Sequence, residues 1–406
     1  MTRRKTYLAG AVLPTVVVVA LVMLTAMMGL LALWEQHMLL FERTQRLRQA
    51  RADVESAATL YMLYPRQQAL TAAQGYTLYD SVPRSRIFMR SEPWGLYELL
   101  HIATADSLVA SCRIVGAKPD AAHTLHHADN RAAVTLAGDT RLQGVLHLPQ
   151  NGIAYGRAGT DFYRGSTVPH TAIRRAEAAI AAPAARAAER IDSLFALHGR
   201  PPQPYEMPDS LGVSFRDTTL RLPLEAAEIV DCTLRGRIVL TADDLCIDST
   251  CRIEHLLIAA RKITVGRSAR ITAQLFARDT LIVEPHAEMQ YPSGIYAGRY
   301  VELGDRATID GYVIVRDRQQ RKQPAPSYRQ ARTARVRGLL YVDGTAHVQG
   351  IVAGCAHIRQ AACFTPQGYY TNTLCDLTLL ENPATAQPLW LSGAETLHRK
   401  EVLCAE

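Results

Sequence analysis

The chain has little lysine, few aromatic side chains and almost none of the short motifs that announce a chemistry. Lysine occurs 5 times against 40 arginines, and aromatic residues make up 7% of the sequence. The net charge is +7 and the pI about 9.0, yet both signs are scattered along the chain instead of gathered in one basic patch. Nucleic-acid binding needs a clustered basic face, so nucleic acid is not an expected partner. The absence of any CxxC pair excludes a thioredoxin-like motif and a zinc ribbon. No phosphate-binding glycine loop, GxSxG or HExxH occurs either. No cofactor is therefore expected, and no residue is nominated as catalytic or cofactor-binding.

What the chain does have is a long uncharged run near its start, "MTRRKTYLAGAVLPTVVVVALVMLTAMMGLLALWEQH". From Tyr7 to Trp34 no side chain is charged, and at about 1.5 Å per residue a helix over 7–34 is roughly 42 Å long, enough to cross a bilayer. A cleaved signal peptide would have an apolar region of only about 7–15 residues and a small-residue cleavage site. The basic residues Arg3, Arg4 and Lys5, in segment 1–6, predict a cytoplasmic N-terminus and an extracytoplasmic remainder. Arg43, Arg46, Arg48 and Arg51 after the span reduce that asymmetry. Segment 35–64 has neither Gly nor Pro and repeats Leu40, Leu47, Val54 and Tyr61 every seven residues. It reads as a continuation of the helix with one apolar stripe, for its own domain or for a partner helix.

The stretch "RRKTYLAGAVLPTVVVVAL" resembles the N-terminal spine of type IV pilins and of the minor pseudopilins of type II secretion machines. The resemblance implies a processing point after Gly10 and a place in a pilus-like assembly. Thr15 stands near the position of the acidic residue that most major pilins carry.

Further on, 65–166 contains short strand-like runs with turn signals, such as "SRIFMR" and "SLVASCRIVG". Segment 167–200 is alanine-rich and reads as a helical insertion, one helix or two divided at Pro183. Residues 201–212 form a proline-rich linker. Then a period emerges: Leu245, Ile263, Leu281 and Val301 are equivalent residues 18, 18 and 20 apart. Within one repeat Ile263, Val265, Ala269, Ile271, Ala273, Leu275 and Ala277 alternate by two, with an interval of four at a bend. Val301, Leu303, Ala307, Ile309, Gly311, Val313 and Val315 follow the same template, and Leu340 to Gly354 is read as a further coil.

The expected fold is thus mainly β: a single transmembrane helix continuing into a long helix, then a parallel β-helix over 213–355 with about 18 residues per coil and a loop at 316–335. Five to seven coils are expected, with a cysteine-containing tail at 356–406. "VTLAGDTRLQGVLHLP" (residues 134–149) fits the coil template as well, ahead of the helical insertion. "ATIDGYVIV", "AHVQGIVAG" and "TRLQGVLHLP" resemble the coils of bactofilins, which implies a polymer-forming envelope scaffold. "VGRSARI" and "LGDRATI" resemble the hexapeptide repeats of left-handed β-helix acyltransferases, which implies acyl transfer.

Candidate chemistry is sparse. His255 falls at an inward repeat position, while His286 and His347 fall at corner or outward ones, where an acyltransferase base would stand. Asp243, Asp244 and Asp248 crowd one coil edge near Arg252 and Arg270, the residue types a polysaccharide-cleaving site would need. "DAAHTLHHAD" offers His123, His126 and His127 as candidate metal ligands. Eight cysteines allow 105 pairings, and four of them fall in the last 52 residues, where disulfide staples are first expected. The sequence favours a non-enzymatic scaffold at a bacterial inner membrane, with envelope proteins or its own copies as partners. An anchored enzyme acting on carbohydrate or transferring acyl groups is the alternative, and a groove lined by converging charged groups would favour it.

Overall fold

Alternation by two along a strand sends every second side chain to one face, so a chain that repeats this with bends between must enclose its apolar residues. In the computed structural model this produces a parallel β-solenoid of about 11 turns, ~19 residues each, within residues 125 to 361. Strand makes up 51% of the chain, so the fold is mainly β. The structure describes residues 12–64, 74–78, 86–119, 124–196, 208–225, 227–317, 325–381, 385–394 and 398–405. Two compact units are distinguished, one of Met1–Ala57, Gly75–Phe88 and Ala103–Ala110, the other of Ala58–Gln74, Met89–Ile102 and Ser111–Glu406.

One uninterrupted helix, Val12–Leu63, covers the described part of the expected span and its continuation. An 18-residue stretch of it has a mean hydropathy of 2.8 and no buried residue, so the helix is long and apolar enough to cross a membrane. The heptad stripe changes character along the helix: Leu40 is exposed, Leu47 half-buried, and Val54 and Tyr61 buried. Tyr61 donates a hydrogen bond to Glu98 at 3.1 Å.

The predicted inward residues line the solenoid core. Ile263, Val265, Ala269, Ile271, Ala273, Leu275 and Ala277 are all at most 1% exposed. Strands Arg252–Val265 and Arg270–Val283 stack in parallel register, Ile253 on Ile271 and Val265 on Val283. Small residues recur where the core must narrow at a corner, as with Ala269, Ala287, Ala307 and Ala334. Replacing Ala269 or Ala307, both fully buried, with leucine overpacks the corner. We expect a loss of about 1–3 kcal/mol, read as a lower midpoint in chemical denaturation; an unchanged midpoint would contradict the inward register.

Five expectations are corrected, and the coils number about 11 where five to seven were expected. The segment 316–335 is not all loop, because Tyr328–Gln330 is a strand stacked on Val301–Leu303. Leu340 consequently pairs with Val313, not with Val301, and the coil there begins twelve residues earlier than the repeat suggests (340 − 328). Polarity hid this rung: Gln330 is fully buried and satisfied by Tyr328 Oη at 2.7 Å and by the carbonyls of Ala334 and Ile351. The alanine-rich insertion holds only one α-helix, Ala185–Ala196, since Ile173–Arg175 is a solenoid rung paired with Leu146–Leu148. Pro183 stands just before that helix, where its missing N–H costs nothing.

The residues after 355 are no tail. Ala356–Ile358 stacks under Leu125–His127, and Thr373–Cys375 pairs with Thr135–Ala137. The early coil-like stretch therefore continues the solenoid beyond its C-terminal coils, and Val134, Leu136, Leu146 and Leu148 are all fully buried there. The last strand, Arg399–Cys404, closes antiparallel on Ala110–Ala117. Finally, His255 does not point inward: it sits in a bulge at φ 64°, and Leu256 takes the core position at 0% exposure.

Candidate functional site

The corners carry no shared chemistry. Gly266 and Gly304 hydrogen-bond to Ile247 and Val283 of the preceding coil, and Asp248 and Glu284 make the same contact in other coils. The left-handed residue of these corners lies two positions later, at Ser268, His286 and Arg306, with φ of 61°, 66° and 57°. That conformation is accessible to non-glycine residues. The acidic group at one edge is dispersed into local pairs: Asp243 and Asp244 both meet Arg261, at 3.2 and 2.6 Å. Asp248 caps its own corner through Thr250 N–H at 2.9 Å, while Arg252 and Arg270 pair with Glu254 and Glu288. No converging acid and base result from these residues.

The candidate metal group also separates. His123 lies outside the described residues. His126 and His127 are neighbours on one strand, so they face opposite sides of it. His127 is fully buried, donates through Nδ1 to the Ala128 carbonyl (2.9 Å) and accepts from Ala361 N–H through Nε2 (3.2 Å). Burial pushes its pKa down, which keeps it neutral and structural. Burial lowers the pKa of His255 in the same direction.

His126 belongs to a different constellation. One outward column runs in register through Phe276, Tyr296, Ile314, Tyr341, His357, His126 and His147. Its first part is covered: Trp390 lies 5.9 Å from Tyr296 and 5.5 Å from Tyr341, and Tyr341 Oη donates to the Ala181 carbonyl at 3.0 Å. Where the column turns from aromatic residues to histidine, the cover parts into a cleft of about 550 Å³. The rings of His357, His126 and His147 form its floor, 5.6 and 5.8 Å apart between successive centroids and both edge-to-face. Cys355, two residues before His357 and so on the same strand face, places its thiol 3.3 Å from His357 Nε2. Arg175 and Glu177 stand at the rim, with Leu391 and Pro388 supplying apolar wall.

A thiol within reach of an imidazole, in a cleft large enough for a small molecule, has the geometry of an activated nucleophile and its base. Sequence reading missed it because His126, His147 and His357 are spread over 232 positions (357 − 126 + 1) and only stacking of the coils aligns them.

A second locus gathers the donors of the C-terminal coils. Asp161, Cys375 and Asp376 hold ligand atoms within 4.8 Å of one another. Cys363 packs with Cys375 in one buried cluster, and that neighbouring thiol draws the Cys363 pKa down. Cys232 and Cys251 form another close pair, Sγ to Sγ 3.6 Å. Comparison with known proteins adds no assignment: no protein-family model, no curated protein and no solved structure matches this chain.

Proposed function

We propose that this protein is a membrane-anchored scaffold of a bacterial cell envelope. In this reading its N-terminus is cytoplasmic, and the solenoid stands outside the inner membrane, offering its surface to partners in a pilus-like or type II secretion-like assembly or to further copies of itself. The observation that carries the reading is the helix Val12–Leu63. Its first half is exposed at every large apolar residue from Leu13 to Phe41, whereas Val54, Ala57, Ala58 and Tyr61 near its end are buried. Apolar surface of that extent requires a bilayer or another protein to cover it. Solenoids, in turn, provide long surfaces stabilised coil by coil, which suits a structural role.

Protease added to spheroplasts is expected to degrade the chain after Trp34 and leave the span; complete protection would reverse the orientation. Crosslinking in intact membranes is expected to capture envelope proteins or a second copy. Recovery of uncrosslinked monomer alone would count against the scaffold.

The histidine cleft supports a second reading, an anchored enzyme that transfers acyl groups through Cys355. A small activated ester such as p-nitrophenyl acetate is expected to acetylate Cys355. His357→Ala should slow that step by about 10²-fold or more, the range for losing a general base. Acetylation confined to Cys404, or an unchanged rate in the variant, would dismiss this reading.

A further inference from the structure

We propose that two disulfide bonds, Cys232–Cys251 and Cys363–Cys375, staple the solenoid, one near its start and one where its C-terminal coils meet the early stretch 134–155, while Cys112, Cys246, Cys355 and Cys404 remain thiols. The proposal rests on the extracytoplasmic placement above, since disulfides persist only in an oxidising compartment.

Cys232 and Cys251 occupy the corner column that holds alanine in later coils. Thr233 and Arg252, the residues that follow them, are in direct parallel register, and Arg252 N–H donates to the Cys232 carbonyl at 2.8 Å. Adjacent rungs of a parallel ladder are about 4.8 Å apart, inside the roughly 4.4–6.8 Å Cα separation that a disulfide spans. The two thiols already face each other at 3.6 Å, at 3% and 4% exposure. A bond here links the rung of Thr233–Gly236 to that of Arg252–Val265, at the start of the main run of coils.

Cys363 stands at the root of the hairpin in which Ala362–Thr365 pairs with Gly368–Thr371, and Cys375 ends the rung stacked on Ala137. Their side chains are 2% and 3% exposed and sit in one small buried cluster with Ala137 and Ala158. This second bond lies where the C-terminal coils meet the early stretch 134–155, which a loose hairpin would leave unsupported.

Each bond forms by thiol–disulfide exchange with a disulfide oxidant of the compartment. One cysteine thiolate attacks a sulfur of the oxidant, whose S–S bond breaks and releases a thiolate. The second cysteine, deprotonated, attacks the first cysteine's sulfur and displaces the other half. Two electrons pass from the cysteines to the oxidant, and two protons end on its two thiols. Burial of all four sulfurs requires exchange before the coils close and shields the finished bonds from reductant.

The test counts thiols in the full chain in two arms. Cells are acid-quenched, and the denatured protein is alkylated without reductant; separately, reduced protein is refolded from denaturant in a glutathione redox buffer. Four alkylated cysteines, with crosslinked peptides joining Cys232 to Cys251 and Cys363 to Cys375, are expected in both arms. Eight alkylated cysteines in both arms, or crosslinks between other cysteines, overturn the pairing. Correct crosslinks after refolding but eight thiols in cells leave the pairing standing and overturn the extracytoplasmic placement instead. Stoichiometric zinc in the purified reduced protein, lost in Asp161→Ala, would assign Cys375 to a metal and overturn the second bond.

Discussion

Gly338→Val is expected to cost about 3–5 kcal/mol, enough to leave the purified chain largely unfolded or aggregated. Ser293, Gly311, Gly338 and Gly354 stack in one column across four successive coils. The three glycines have φ of 145°, 129° and 148°, a region costly for any residue with a side chain. A Cβ at Gly338 would fall 1.8 Å from the Gly311 carbonyl oxygen, and one at Gly311 would fall 1.8 Å from that of Ser293. The obstacle is the backbone of the preceding coil, itself bonded on both sides, so it cannot move aside without breaking the ladder. Gly212→Val is the control: nothing lies within 4 Å of its Cβ position, and a change within about 0.5 kcal/mol is expected. Chemical denaturation followed by circular dichroism reads both variants, and equal midpoints would contradict the column.

Deleting residues 7–34 is expected to move the protein from the membrane fraction to the soluble one, with the thermal transition of the solenoid unchanged. The span contributes apolar surface that the rest of the fold leaves bare: Val19, Leu30 and Trp34 are 51%, 67% and 69% exposed. Each Leu, Ile, Phe or Val at the centre of such a helix favours insertion by about 0.3–0.6 kcal/mol, so a run of this length is apolar enough to hold a chain in a bilayer. Carbonate extraction at high pH is the measurement. Retention of the shortened chain in the membrane pellet would mean that another surface binds lipid or a membrane partner.

How far the fold could be read in advance differed from element to element. From Ile263 to Ala277 and from Val301 to Val315 the repeat carried enough information, because an apolar or small residue at every second position and a small one at each bend admit one closed coil. Beyond Val315 it did not. Tyr328 and Gln330 fill core positions of the next rung, and a glutamine satisfied by three hydrogen-bond partners cannot be told from a loop glutamine without its surroundings. The alanine-rich stretch misled for the opposite reason: helix propensity extends over all of it, but Ile173 finds a rung to pair with and the helix starts only at Ala185.

The candidate site was legible only as a list of residue types. His126 was singled out, but as one of three neighbours in the chain, and the strand's alternation sends it away from His127. Its true companions, His147, His357 and Cys355, come from coils that the chain visits at different times.

The sequence by itself determined what depends on short range: the apolar span, the strand period, and the inward faces from Ile263 to Val315. Tertiary structure alone decided which coil stacks on which, hence that 125–148 continues the solenoid past Ile358, and so which outward residues share a column. The reason is physical. Alternation chooses the face of a strand, a local property, whereas the neighbour above or below is chosen by the backbone hydrogen bonds and packing of the whole stack.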